Sequence, residues 1–153
     1  MLIRIESAFN LESTLDSGQA FRWKNRSDYF EGVVDKSIIL IKQISDGIEF
    51  ESFPQSEKEL KPQLQYYLSL HDDLEIILKS IAVDRNIQSY IDQYKGMRIL
   101  KQDPWECLIS FICSSNSNVL RVKQNVEDMS AAYGEKIEAF GSIRHAFPSP
   151  KQL

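Results

Sequence analysis

The sequence predicts an α+β fold, in which an antiparallel β-sheet comes first along the chain and a bundle of helices follows. Up to Phe53, apolar and polar residues alternate with a period of two in short segments separated by turn-forming residues, as strands do. After Pro54 the apolar residues recur with the helical period of 3.6. Helix-start signals then follow one another as far as Ser149.

Four segments are predicted strands: residues 20–24, 29–34, 38–43 and 48–53. The connections between them are so short that they can only join antiparallel neighbours. In the last strand, Ile48 and Phe50 alternate with acidic residues, which indicates one buried and one solvated face. The same alternation in the first strand predicts Trp23 in the core and Arg22 on the solvated face.

Three helices are predicted between Pro54 and Gly96. The first carries Leu60 and Leu64 on one stripe, with Pro62 in its first turn or at a bend. Residues 72–75 form a capping-box start for the second helix. The buried face behind that start is predicted to consist of Leu74, Ile77, Leu78 and Ile81. The tyrosines at helical spacing are interpreted as packing residues: Tyr66, Tyr67, Tyr90 and Tyr94.

A fourth helix is predicted to begin at residues 103–106, where an aspartate N-cap, a first-position proline and a reciprocal glutamate cap coincide. The segment behind it, residues 107–113, is apolar on every side, so this helix is expected to be buried all round. A fifth helix carries apolar residues at alternating spacings of three and four, and it ends at Gly134.

The composition, 42% hydrophobic and 26% charged, is that of an ordinary globular protein. No apolar run is long enough for a membrane span and no secretory signal is visible, so we expect an intracellular protein without a membrane partner. Cys107 and Cys113 would point to different sides of a helix, and with two histidines they form no zinc motif. The net charge of −4 opposes non-specific nucleic-acid binding, and by itself it indicates a protein or small-molecule partner.

Residues 114–118, Ser-Ser-Asn-Ser-Asn, form a polar segment between the fourth and fifth helices. Ser117 or Asn118 can cap the fifth helix while the others close a loop. Alternatively, hydroxyls and amides at a helix N-terminus, with Arg121 one turn in, can hold a phosphate or read a base edge. The residues alone favour neither interpretation. A weaker nucleic-acid candidate is the basic and aromatic group of Arg22, Trp23, Lys24 and Arg26.

Two stretches taken together resemble the 8-oxoguanine DNA glycosylase family of the helix-hairpin-helix superfamily. They are LDSGQAFRW at residues 15–23 and RILKQDPWECLISFICSSNSN at residues 98–118, with Arg121 beyond. The order of strands and helices between them also fits, so the resemblance spans nearly the whole chain. It implies a TBP-like antiparallel sheet domain over residues 1–97, followed over residues 98–153 by the first helices of an all-α helix-hairpin-helix glycosylase domain.

The resemblance implies DNA base-excision repair by a bifunctional, monomeric DNA glycosylase and AP lyase. Such an enzyme flips 8-oxoguanine, paired with cytosine, out of duplex DNA. A lysine then attacks the sugar, expels the base and forms a Schiff base, with an aspartate assisting and with no metal or cofactor. Both residues lie in the later half of the family pattern, which nothing here matches. We therefore expect no catalytic residue in this chain and no activity from it alone.

The resemblance assigns recognition roles to three positions. Gly18 matches a glycine whose backbone carbonyl faces N7 of the flipped base, where oxidation turns an acceptor into an N–H donor. Asn116 matches the asparagine that fills the gap left by the nucleotide, and Arg121 matches an arginine that contacts the orphaned cytosine. Asn118 is expected to bind DNA beside them. The sequence departs from the family pattern at Ser117, where several members carry asparagine.

Ser149 and Gln152 carry the signals that open a helix, and a single helical turn has no stability of its own. We therefore expect the chain to be a truncated part of a longer protein. Two alternatives remain open. One is a natural short module that binds DNA or a protein without catalysis, and the other is a glycosylase of the same superfamily that acts on another damaged base, such as an alkylated one.

Overall fold

The computed structural model describes residues 1–153, which form a five-stranded sheet, six helices and a two-stranded hairpin. The sheet consists of β1 (Leu2–Arg4), β2 (Lys24–Asn25), β3 (Phe30–Val34), β4 (Ser37–Ile44) and β5 (Gly47–Phe53). The helices are α1 (Leu11–Leu15), α2 (Glu57–Tyr67), α3 (Leu74–Ile81), α4 (Arg85–Gln93), α5 (Pro104–Ser114) and α6 (Val119–Tyr133). The hairpin consists of β6 (Lys136–Ala139) and β7 (Ser142–His145). The predicted α+β class is confirmed.

The sheet has the strand order β1-β5-β4-β3-β2, and every neighbouring pair is antiparallel. The strands predicted at 29–34, 38–43 and 48–53 are present as β3, β4 and β5. The strand predicted at 20–24 is wrong, because only Lys24–Asn25 pairs with β3. Arg22 and Trp23 are adjacent and both buried, so this segment does not alternate between two faces. Trp23 lies against Gly32 of β3, where a Cβ would come within 2.3 Å of the indole.

Helices α1 and α2 pack on one face of the sheet and form the main core with it. The fully buried members include Leu11 and Leu15 of α1 and Leu60 and Leu64 of α2. The predicted stripe on α2 is therefore confirmed, with Pro62 in the second turn of that helix. Helix α2 is also tied to the sheet domain by a hydrogen bond from the Trp23 indole to the Tyr67 hydroxyl, 2.8 Å long.

The α5 helix is not buried all round, which corrects the sequence-based expectation. Its exposed apolar side chains are Leu108, Phe111 and Ile112, with exposed fractions of 52%, 73% and 58%. The helix begins as predicted, since the Asp103 carboxylate accepts from the N–H groups of Trp105 and Glu106. Local sequence therefore determines where α5 starts, whereas no other element of this chain covers its outer side.

The face predicted to be buried on α3 is also largely exposed. Leu74 is buried, but Ile77 and Ile81 are not. The interpretation of the tyrosines as packing residues holds for Tyr67 and is wrong for Tyr66, Tyr90 and Tyr94, which are exposed. The start of α3 is confirmed with Asp73 as its N-cap, whose carboxylate accepts from the N–H of Ile76. The predicted capping box is wrong, because Glu75 pairs with Lys79 instead. An amphipathic pattern shows that a face is apolar, and the neighbouring elements decide whether it is covered.

The β6–β7 hairpin was not predicted. Its two-residue turn, Phe140-Gly141, has φ angles of +53° and +72°, which are typical of a type I′ turn. The first turn position holds phenylalanine instead of the asparagine or aspartate that usually precedes glycine in such turns, so the sequence gives no clear indication of this hairpin. Ile137 and Ala146 pack with buried side chains of β3 and β4 on the sheet face opposite α2. The sheet is thus covered on both sides.

A buried ion network joins the hairpin to the sheet and to α6. The Arg144 guanidinium on β7 lies 2.7 Å from Glu31 on β3 and 2.9 Å from Glu127 on α6. It also donates to the carbonyl of Arg22. Arg144 and Glu31 are each 2% exposed. Burial raises the pKa of Glu31, but hydrogen bonds from Arg144 and Ser142 outweigh this effect and hold that pKa below its ordinary value.

Arg22 belongs to the same network, so its predicted place on a solvated strand face is wrong. Its guanidinium donates to the carbonyl of His145 and lies 3.5 Å from Glu127 and 3.8 Å from Glu106. Burial raises the pKa of Glu106 to about 7, and the nearby Arg22 only partly opposes that rise. A local alternation could not reveal this arrangement, because the partners of Arg22 lie on α5, α6 and β7.

Replacement of Arg144 by methionine is expected to lower the free energy of unfolding by about 3–5 kcal/mol, because Glu31 would stay buried without its main partner. Urea unfolding followed by circular dichroism measures the change. Lys136→Met is the matched control, since it breaks an exposed pair with Glu138 and should cost less than about 1 kcal/mol. Equal losses in the two variants would contradict the importance assigned to the buried pair.

Glu106→Gln is expected to flatten the dependence of stability on pH between about 4.5 and 7. A glutamate whose pKa is raised by folding holds its proton more tightly in the folded state, so stability falls as pH rises through this window. The amide removes that loss and leaves the variant more stable than the wild type near pH 8. Urea unfolding at a series of pH values tests this, with Glu138→Gln as the exposed control. A slope unchanged by Glu106→Gln would refute it.

Candidate nucleic-acid interface

Gly18 lies in a tight turn between α1 and β2. Its φ angle is +82°, a left-handed conformation that residues with a Cβ rarely adopt. A Cβ built at this position would meet no atom within 4 Å, so the space beside the backbone is open. The Gly18 carbonyl accepts no hydrogen bond within the chain. The turn therefore carries a main-chain acceptor that no donor of this chain occupies, and the space in the Cβ direction is open.

Gln19 ties this turn to the segment that leads into α5. Its side-chain nitrogen donates to the carbonyls of Thr14 and Arg98, at 3.0 and 2.9 Å. Its side-chain oxygen accepts from the N–H of Leu100 at 2.8 Å, and its own carbonyl accepts from the side chain of Gln102 at 2.5 Å. Sequence reasoning did not single out Gln19, although it stands within the first of the two matched stretches.

Arg98 anchors the segment of residues 98–102 to which Gln19 is bonded. Its side chain is buried, and it donates to the carbonyls of Ser69 and Asp72 at 2.7 and 3.0 Å and to the Ser7 hydroxyl at 2.7 Å. Its N–H donates to the Thr14 hydroxyl at 3.1 Å. A buried arginine with several carbonyl partners is a rigid support, because leaving it unpaired would cost desolvation energy. The sequence offered one signal for it, the opening position of the second matched stretch.

The loop between α5 and α6 places three exposed side chains at the start of α6. Asn118 is the N-cap, and its side-chain oxygen accepts from the N–H of Arg121 at 3.0 Å. Asn116 has a φ angle of +51°, a conformation that asparagine tolerates better than most residues. The Arg121 guanidinium has no ion pair or hydrogen bond within the chain. The Ser117 hydroxyl is buried without a hydrogen-bond partner.

One ion pair brings the Gly18 turn beside α6. The Lys123 ammonium, one helical turn beyond the loop, lies 3.6 Å from the carboxylate of Asp16. Both groups are partly solvated, so this pair indicates proximity more than strength. It also leaves Arg121 as the uncompensated positive charge at this end of α6. The two stretches singled out by sequence, far apart along the chain, meet through the hydrogen bonds of Gln19.

The arrangement offers recognition groups rather than reacting groups. It combines a free carbonyl, side-chain amides and a guanidinium at a helix N-terminus, which suit bases and phosphates. No group of three or more His, Cys, Asp or Glu side chains is placed to hold a metal ion. No helix is long and apolar enough to cross a membrane. A cavity of about 400 Å³ beside Arg22 and Glu106 is lined by none of the predicted site residues.

The chain is similar to known proteins over nearly its whole length. Residues 1–108 match the family model of the 8-oxoguanine DNA glycosylase N-terminal domain. The N-glycosylase/DNA lyase of Saccharomyces cerevisiae is 29% identical over 97% of the chain, and the probable N-glycosylase/DNA lyase of Methanothermobacter thermautotrophicus is 29% identical over 95%. The Clostridium acetobutylicum 8-oxoguanine glycosylase/lyase, crystallised with dsDNA containing cytosine opposite 8-oxoG, aligns over 100% of the chain with a TM-score of 0.86 and 28% identity.

The chain spans 43%, 49% and 55% of the lengths of these three proteins, respectively. The family match covers more than half of the chain, including the Gly18 turn and the Gln19 contacts with residues 98–102. The similarity to the Clostridium acetobutylicum structure extends through α6 and the hairpin. This chain therefore belongs to the 8-oxoguanine DNA glycosylase family, whose N-terminal domain model its residues 1–108 match.

Proposed function

We propose that this chain is the lesion-recognising part of a DNA glycosylase and AP lyase that excises 8-oxoguanine paired with cytosine in duplex DNA. The observation that carries the proposal is the free Gly18 carbonyl, which lies in a left-handed turn with open space beside it. The names of the relatives, N-glycosylase/DNA lyase and 8-oxoguanine glycosylase/lyase, support the same chemistry. The enzyme would work on duplex DNA inside the cell and would need no metal or cofactor.

The carbonyl of Gly18 can distinguish the lesion from guanine at a single atom. In 8-oxoguanine N7 carries a hydrogen and donates to the carbonyl, whereas in guanine N7 is an acceptor and two lone pairs would face each other. A buried acceptor left without a donor costs about 1–3 kcal/mol. Since about 1.4 kcal/mol corresponds to a factor of ten, this contact supplies roughly a 5- to 150-fold preference for the lesion.

The loop at the start of α6 is proposed to contact the DNA around the flipped nucleotide. Asn116 would fill the gap in the duplex, and the forked donors of Arg121 would contact the orphaned cytosine. The side-chain oxygen of Asn118 already caps α6, so its amide hydrogens are the part left for DNA. Ser117, where family members often carry asparagine, has its hydroxyl buried and contributes no DNA contact in this proposal.

The uncovered apolar surface supports the existence of a further helical part in the complete protein. Large apolar side chains on α3, α5 and α6 are exposed, among them Ile76, Phe111 and Leu120. Exposed apolar patches of this kind mark surfaces that another element covers. We place the boundary between the sheet domain and the helical domain after residue 97. The further helical part would supply the catalytic lysine and aspartate, together with the positive charge that DNA binding requires.

The 153-residue chain alone is expected to release no base from duplex DNA containing 8-oxoguanine, because none of its residues matches the family's catalytic lysine or aspartate. We propose that the gene encodes a longer product that spans the length of the relatives. This longer product should release the base and form a Schiff base that borohydride traps on the DNA. Base release by the 153-residue chain would overturn the assignment of the chemistry to another part. A longer product that binds lesion DNA without excision would favour the binding-module alternative, and a preference for an alkylated base would favour another glycosylase.

Gly18→Ala in the longer product is expected to lower kcat/KM for 8-oxoguanine by about tenfold, since the methyl group would occupy the space through which the base approaches. Gly141→Ala is the matched control. Gly141 also has a positive φ angle, +72°, and a Cβ added there would likewise meet no atom within 4 Å, but this glycine lies in the hairpin turn. Both variants should lose about 1–2 kcal/mol of stability through backbone strain. Equal excision by the two variants would remove Gly18 from lesion recognition.

A further inference from the structure

We propose that Gln19 is the positioning residue that orients the Gly18 carbonyl, so that lesion selectivity depends on its side chain as much as on the glycine. The inference rests on the proposed function. The side-chain nitrogen, the side-chain oxygen and the backbone carbonyl of Gln19 all form hydrogen bonds with residues 98–102. Gln19 thereby attaches the turn to a segment that Arg98 anchors through the carbonyls of Ser69 and Asp72.

The orientation of the Gly18 carbonyl follows from the position of Gln19. The carbonyl of Gly18 and the N–H of Gln19 belong to one planar peptide unit, so fixing Gln19 restricts the direction in which the carbonyl points. Gly18 itself cannot supply this restriction, because glycine is the residue with the greatest backbone freedom. On the preceding side, the turn is held by a contact with its own helix, a 3.2 Å hydrogen bond from the Ser17 hydroxyl to the Thr14 carbonyl.

The chemistry at Gln19 requires an amide of this length. Its nitrogen faces two carbonyl oxygens, those of Thr14 and Arg98, and its oxygen faces the N–H of Leu100. A glutamate would place an oxygen without hydrogens against both carbonyls, and a methionine would fill the space without any hydrogen bond. The two replacements therefore keep the volume of the side chain and remove its donors.

Gln43 supplies a matched control at the other end of α1. Its side-chain oxygen accepts from the N–H of Leu11 at 2.7 Å, and its nitrogen donates to the carbonyl of Phe9 at 2.9 Å. Gln43→Met thus removes bridging hydrogen bonds of the same kind from the same domain without touching the Gly18 turn. Gln19→Met and Gln43→Met are both expected to lower the unfolding temperature of the chain.

The first measurement uses the 153-residue chain and needs no activity. NMR relaxation of the backbone amide of Gln19 reports the order of the peptide that carries the Gly18 carbonyl. Its order parameter should fall in Gln19→Met and Gln19→Glu and stay at the wild-type value in Gln43→Met. An order parameter unchanged in the Gln19 variants overturns the positioning role, whatever the function of the protein.

The second measurement uses the longer gene product, with kcat and KM determined on duplexes containing 8-oxoguanine or guanine opposite cytosine. The ratio of kcat/KM for lesion over guanine should fall about tenfold to a hundredfold in Gln19→Met, mainly through kcat, and remain unchanged in Gln43→Met. A wild-type ratio in Gln19→Met overturns the inference, whereas a wild-type protein without excision overturns the proposed function instead. If the Gln19 variants do not fold, Gln102→Met replaces them, since it removes one hydrogen bond to the Gln19 carbonyl. The ratio of kcat/KM for lesion over guanine should then fall in Gln102→Met, and a wild-type ratio overturns the inference.

Discussion

The buried ion pair between Glu31 and Arg144 is the interaction on which the arrangement of this chain depends. A charge without water or a partner is so unfavourable that each of these residues requires the other. The pair therefore joins the hairpin to β3 in the folded state, although the hairpin lies more than a hundred residues away from that strand in the sequence. Glu127 of α6 joins the same pair, and Arg22 extends the network towards Glu106 of α5. One set of charges thus fixes the sheet, two helices and the hairpin relative to one another.

This arrangement positions the candidate interface. The loop with Asn116 joins α5 to α6, and both of those helices are held by the ion network. The Gly18 turn is held separately, by Gln19 and by the framework around Arg98. Glycine allows close approach but has little stiffness of its own, so the surrounding hydrogen bonds must supply the rigidity that selective binding requires. In the proposed function, the flexible glycine and its restrained neighbour act together at one recognition site.

The surface of the chain shows two properties that a DNA-binding enzyme would not have by itself. The net charge is −4, and the apolar sides of α3 and α5 are exposed. A net negative charge opposes the long-range attraction to DNA, and an uncovered apolar patch is unfavourable in water. The further helical part that we propose would cover the apolar patch and supply positive charge, and the relatives matched by this chain are about twice as long.

The sequence by itself determined the features that local physics controls. Alternation predicted β3 to β5, side-chain caps predicted the starts of α3 and α5, and two motifs led to the family. The tertiary structure alone decided which apolar faces are covered, that Arg22 is buried, and that a hairpin with Phe140 in its turn closes the second face of the sheet. Caps and alternation act within a few residues, whereas burial and ion pairing depend on partners from distant parts of the chain. The bonds around Gln19 belong to this second group, since Arg98 and Leu100 reach it only through the fold.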